Sequence, residues 1–225
     1  AKTLFPYTTL FRSGATALSA DSAAPTSIAF NNNVPPSTSG FSGYGAVTIA
    51  PAANSSFTSA FTPSYTFAST LTSLTLGSSS NTQNITLGSA IKINGPITVD
   101  AGQVSFGSTL ETTSASGDIN IRAKTNIINT ALTTITTAGG DILLASNVDD
   151  ATDGDSTTNG YIRLSSGLVA TSNGGDITLG GGNLTGTSHA MGSSNAAYTE
   201  GIRIDGRTNI NSGGGNISMR GKSYA

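Results

Sequence analysis

The chain has no cysteine in 225 residues, which excludes disulfides, thiolate metal sites and cysteine nucleophiles. Its single histidine, His189, leaves no second imidazole for a His-based metal site. Charged residues make up only 10% of the sequence, ten basic against twelve acidic, for a net charge of -2. No lysine or arginine cluster is present, so the footprint of a nucleic-acid binder is missing, and so is a basic membrane patch. From Ser22 to Ile91 there is no Asp, Glu, Lys, Arg or His at all. No apolar run approaches the roughly 20 residues that span a bilayer. Nothing near Ala1 reads as a signal peptide, and the chain, opening without Met, reads as a fragment.

What is there is small and polar. Ser, Thr, Asn and Gly supply 112 of the 225 residues, and with helix formers scarce and glycine scattered throughout, long helices are disfavoured. The composition predicts a nearly all-β chain. A cysteine-free sequence also suits an exported fibre that crosses membranes unfolded without mispairing thiols.

The chain repeats itself. Ser172 to Gly182 reads S-N-G-G-D-I-T-L-G-G-G and Ser212 to Gly221 reads S-G-G-G-N-I-S-M-R-G. Upstream of each lies Gly-x-Ile-Arg or Gly-Ile-Arg, so Ile162 precedes Ile177, and Ile202 precedes Ile217, by the same 15 residues. Fainter copies stand at Gly117-Asp118-Ile119 and Gly140-Asp141-Ile142. Glycine supplies positive-φ backbone, so each Gly-Asp or Gly-Asn reads as a sharp corner. The Ile-x-Leu after it alternates apolar and polar, as a short strand with one face inward does. Such strands cannot bury a face alone, and stacking them does it. The expectation is one internal column of Ile119, Ile142, Ile162, Ile177, Ile202 and Ile217, with Ile121, Leu144, Leu164, Leu179, Ile204 and Met219 beside it. On that basis Ile177→Asp should unfold the carboxy-terminal coils and Asp176→Asn should be tolerated. Arg163 and Arg203 are expected near Asp141 and Asp176, where they would offset repulsion between stacked acids.

Taken in order, Thr3 to Ser13, T-L-F-P-Y-T-T-L-F-R-S, reads as translated short-read adapter DNA, and residues 1–13 are set aside as an artefact. Residues 14–73 hold Pro25, Pro35, Pro36, Pro51 and Pro63 and seven of the fourteen aromatics. They read as an irregular β segment or cap, its unevenly spaced aromatics serving as core more than as a sugar-stacking row. Residues 74–225 read as β-solenoid repeats. Insertions at 145–159 and 180–200 fall at the same phase, after Ile-x-Leu and before the Ile-Arg strand, and should emerge on one side, where repeat proteins often bind partners.

The candidate chemistry is sparse. Asp149, Asp150, Asp153 and Asp155 in the first insertion offer oxygen ligands for Ca²⁺, without EF-hand spacing and against the simpler reading of a solvated acidic loop. His189 stands in a Gly/Ser loop with no nucleophile elbow in the sequence. Gly180-Gly181-Gly182 and Gly213-Gly214-Gly215 lack the Lys-Ser/Thr of a phosphate loop. The threonines around Ile135 do not recur coil after coil as an ice-binding array would require.

Through its Gly-Gly-Asp/Asn-Ile corners and Ser/Thr/Asn-rich strands, the chain over 74–225 resembles the large repetitive surface proteins of bacteria related to filamentous haemagglutinins and autotransporter passengers. The resemblance implies an all-β, right-handed parallel β-helix, exported to the bacterial cell surface and acting in adhesion, aggregation or biofilm formation. Its partners would be glycans or proteins of host or neighbouring cells, besides adjacent repeats of the same chain. No cofactor and no catalytic residue is implied. Gly117, Asp118, Gly140, Asp141, Gly175, Asp176, Gly215 and Asn216 carry over as structural corners. The rival readings are a tailspike-like polysaccharide lyase or hydrolase, which needs paired carboxylates and sugar-stacking aromatics, and a spacer without a ligand.

Overall fold

The computed structural model describes residues 18–19, 28–35, 40–42, 45–149, 160–195 and 197–224. Among these there is no helix, and the strands fall into parallel sheets. The first sheet has eight strands: Ile28–Asn31, Ala46–Ala50, Ser73–Gly77, Ile97–Ala101, Ile119–Ala123, Ile142–Ser146, Ile177–Gly181 and Ile217–Met219. A second, of five, takes Ile85–Leu87, Val104–Phe106, Ile127–Asn129, Ile162–Leu164 and Ile202–Ile204. The third, also of five, takes Ile91–Ile93, Leu110–Thr112, Thr133–Thr136, Leu168–Thr171 and Asn209–Asn211. From Ser73 onward the chain visits first, second and third sheet in turn and then returns to the first. One such circuit is one coil, and the stack is a parallel β-helix.

Register is strict because the side-chain period is two and a slip would turn the apolar residues out to water. Leu74, Ile97, Ile119, Ile142, Ile177 and Ile217 lie side by side on the first sheet. The interior positions Leu74, Ile85, Ile97, Phe106, Leu110, Ile119, Ile127 and Ile177 are wholly buried. Parallel strands with a single buried face show the buried–partly exposed alternation seen along Ile119–Ala123 and Ile162–Leu164.

Three expectations change. The single apolar column is two columns: Ile119, Ile142, Ile177 and Ile217 stack on the first sheet, while Ile162 and Ile202 stack on the second. The 15-residue spacing is therefore a walk around the third sheet within a coil and not a step between coils. Inwardness also fades in the last coil, where Ile204, Ile217 and Met219 are exposed by 42%, 46% and 43%. These residues edge their sheets, with nothing stacked beyond them among the described residues.

The boundary expected at residue 74 is not a break in the first sheet. Ile28–Asn31 and Ala46–Ala50 extend that sheet in register, with Val47 paired to Leu74 and Ile49 to Leu76. Phe61 bridges Ile85, and Gly40–Ser42 pairs with Thr66–Phe67. The coil survives without Gly-Asp corners because rings fill it. Phe41, Phe57, Phe61, Tyr65 and Phe67 are buried, and Phe41 stacks on Phe67 with centroids 5.6 Å apart. Burial pushes the Tyr65 phenol up to about 12, since ionising it there would strand a charge away from water. Residues 1–13 lie outside the described residues.

Candidate functional site

Two corners of the coil carry the polar chemistry. At the turn from the third sheet to the first, Gly117, Gly140, Gly175 and Gly215 stack directly. A Cβ on Gly140 would sit 2.6 Å from the carbonyl oxygen of Gly117, and Cβ atoms on Gly175 and Gly215 would collide with the backbone of the glycine before them. The glycine ahead has a different reason: Gly139, Gly174 and Gly214 take φ of 122°, 118° and 136°, outside the range of L side chains. The first glycine of each pair is conformational and the second is steric.

The acids beside them form a ladder. The Asp118 Oδ1 accepts the backbone N–H of Asp141 at 2.9 Å, Asp141 Oδ1 accepts that of Asp176 at 2.7 Å, and Asp176 Oδ1 accepts that of Asn216 at 2.7 Å. The expected arginine neutralisation is replaced by these bonds. Arg163 and Arg203 are register partners on the second sheet, a different face of the coil, and Arg203 pairs with Asp205 at 2.7 Å. A charge-assisted bond to each carboxylate makes a column of acids tolerable.

Sequence reasoning passed over the hydroxyls behind this corner. Ser172 Oγ donates to the Gly175 carbonyl at 2.5 Å and lies 3.0 Å from the Ser212 carbonyl. Thr137 Oγ1 does the same with Gly140 and Ser172. Thr112 and Ser212 donate to Gly117 and Gly215. All four are buried. The available signal was Ser or Thr three residues before the second glycine, at Thr137, Ser172 and Ser212.

The second corner, from the first sheet to the second, is where both insertions leave the coil. Their described ends meet there: Gly160 and Met191 form an antiparallel bridge, N–H to O at 3.2 and 3.0 Å, and Ser146 Oγ donates to the Gly160 carbonyl. The second insertion closes on itself through Gly181 and Ser188 and then pairs Ala190–Met191 with Gly221–Lys222. Beside the bridge, Tyr161 and Tyr198 stack with centroids 4.8 Å apart and planes 8° from parallel. The Arg163 guanidinium lies over Tyr198, 5.1 Å from its centroid. Burial raises the Tyr161 phenol above its ordinary value and Tyr198 adds to the rise, while Arg163 opposes it.

Of the candidate Ca²⁺ ligands, Asp149 is exposed and faces Lys124 at 3.7 Å. Asp150, Asp153 and Asp155 lie outside the described residues. Among the described residues no three His, Asp or Glu side chains converge as a metal site. His189 is half-buried beside the Gly181–Ser188 bridge.

The fold and its two corners define a class: a parallel β-solenoid of three-sheet coils with loops inserted at one corner. Comparison with protein-family models, with curated proteins and with solved structures gives no match.

Proposed function

We propose that this chain is a segment of an exported bacterial surface adhesin, serving as a rigid stalk that carries a shallow binding surface at the insertion corner. The observation that carries the reading is the bridge between Gly160, where the first insertion rejoins the coil, and Met191 of the second. A stalk needs only the regular coils, so loops added at one phase point to recognition there. The partners are glycans or proteins of host or neighbouring cells. Repeated display along such a rod would make individually weak contacts multivalent.

The test is adhesion of beads coated with the 225-residue chain to bacterial and epithelial cells, against beads coated with a chain whose residues 183–188 are cut to a two-residue turn. The reading predicts adhesion that drops sharply with the shortened loop while the melting temperature holds. Adhesion indifferent to the loop would reject the insertion corner, and absence of adhesion would leave a spacer. New reducing or unsaturated ends after incubation with a polysaccharide panel would replace binding with catalysis.

A further inference from the structure

Asparagine before glycine is prone to close a ring on itself, because glycine puts no side chain in the way of its own nitrogen. Three such pairs occur, Asn94-Gly95, Asn159-Gly160 and Asn173-Gly174, and of these Asn159 lies outside the described residues. Asn173 and Gly174 sit at the turn from the third sheet to the first, and both are exposed. Asn173 holds φ at 52°, a conformation that asparagine tolerates better than most residues. The two groups that would react are tied to different coils. Asn173 Nδ2 donates to the Thr137 carbonyl of the preceding coil at 2.6 Å, and the Gly174 N–H donates to the Ser212 carbonyl of the following coil at 2.6 Å. That following coil is the one whose Ile204, Ile217 and Met219 are exposed, so it has the least apolar burial holding it and is the first to open. Asn94-Gly95 is held otherwise. Gly95 is buried with its N–H on the Leu71 carbonyl of the preceding coil at 3.1 Å, and the Ser114 N–H of the following coil closes on the Asn94 carbonyl at 2.8 Å.

When the last coil lifts, the Gly174 nitrogen is free to attack Cγ of Asn173. The N–Cγ bond forms, the Gly174 proton and the side-chain amide nitrogen leave together as ammonia, and a succinimide remains. Water then opens the ring, at Cγ to give aspartate or at the backbone carbonyl carbon to give isoaspartate, with no change of oxidation state. Isoaspartate lengthens the main chain by a methylene where backbone lies on backbone: a Cβ on Gly213 would already sit 3.0 Å from Asn173 Cα. We propose that Asn173 is a deamidation site guarded by the coil stacked on it, so that an opening long enough for hydrolysis prevents that coil from returning. This chemistry is indifferent to what the rod binds.

The full chain is held at neutral pH in native buffer and in denaturing guanidinium, and deamidation at each Asn-Gly pair is followed by peptide mapping. In denaturant Asn94 and Asn173 should react at similar rates. In native buffer Asn173 should be slowed by at least about tenfold, since its rate is scaled by the fraction of open coil, and Asn94 should be slowed more. Gly215→Ala, whose Cβ would meet the Gly175 carbonyl oxygen at 2.2 Å, should speed Asn173 relative to Asn94, and the milder Ile217→Ala should do so by a smaller factor. Asn173→Gly should abolish the change at this site with the melting temperature unchanged, because the next coil already carries Gly213 there. In the deamidated fraction, separated by its added negative charge, the amides of Ile217–Met219 should exchange faster while those of Ile119–Ala123 stay protected. Native deamidation at Asn173 as fast as in denaturant overturns the guard, and so does a ratio of the two rates that neither variant moves. Unchanged exchange at Ile217–Met219 after deamidation overturns the proposed loss of the coil.

Discussion

The two ends of the rod solve the same problem with different materials. In the coil from Ala46 to Phe67 the interior is closed by rings, Phe57, Phe61, Tyr65 and Phe67 packing edge and face around Phe41 of the coil before. In the coils from Ile97 to Leu179 the filling is Ile, Leu and Val around Phe106, and the corner is closed by backbone stacked on backbone at Gly117, Gly140 and Gly175. Aromatic bulk tolerates an irregular path, because a ring fills whatever gap the turn leaves. Glycine corners tolerate no side chain, and they fix every following residue in register. One end is held by volume and the other by geometry.

The largest effect should come from the geometric end. Gly175→Val places a branched side chain against the Gly140 backbone, and Ile177→Asp buries a charge in the first-sheet column; each should cost more than about 4 kcal/mol. Calorimetry should show the carboxy-terminal coils melting early while the aromatic end persists. Phe41→Ala attacks the other end and should cost about 3–5 kcal/mol, lowering the melting temperature without altering the amide protection of Ile142 and Ile177.

Smaller effects sharpen the contrast. The raised phenol of Tyr65 stabilises the fold fully below its ordinary value near 10, and that contribution disappears as pH rises through about 12. Alkaline melts should therefore loosen the aromatic end first, and Tyr65→Phe should flatten the loss. At the corner ladder, Asp176→Ala removes the acceptor for the Asn216 N–H and should cost about 1 kcal/mol. Asp176→Asn keeps an acceptor oxygen and should stay within about 0.5 kcal/mol. Smallest is Glu111→Gln: its pair with Lys92 at 2.7 Å spans adjacent coils in the open, and such pairs contribute about 0 to 1 kcal/mol, visible only at low salt.

The glycine corners and the alternating strands after them were legible because few residue types suit either place. The coil before Leu74 was not, since it lacks the Gly-Asp signal and its aromatics follow no period. Ile162 and Ile177 looked like neighbours because equal spacing cannot distinguish a side of a coil from a whole coil. Thr137, Ser172 and Ser212 were hidden by abundance: in a chain so rich in Ser and Thr, the few buried hydroxyls do not stand out. The Asp ladder was misread because repulsion between acids was weighed and their bonds to backbone amides were not. At the insertion corner the loops were visible as breaks in rhythm, whereas the contact between Arg163 and Tyr198 joins residues 35 apart and follows from no local pattern.

The cysteine-free background makes the central claim directly measurable. Leu143 and Thr178 are register partners 35 residues apart on one sheet, while Arg163, only 15 residues before Thr178, lies on another. Adjacent parallel strands are about 4.8 Å apart, within disulfide reach. Under mild oxidation the Leu143→Cys/Thr178→Cys chain should form an intramolecular disulfide and the Arg163→Cys/Thr178→Cys chain should stay reduced. Cross-linking of the second pair in place of the first would contradict the three-sheet coil.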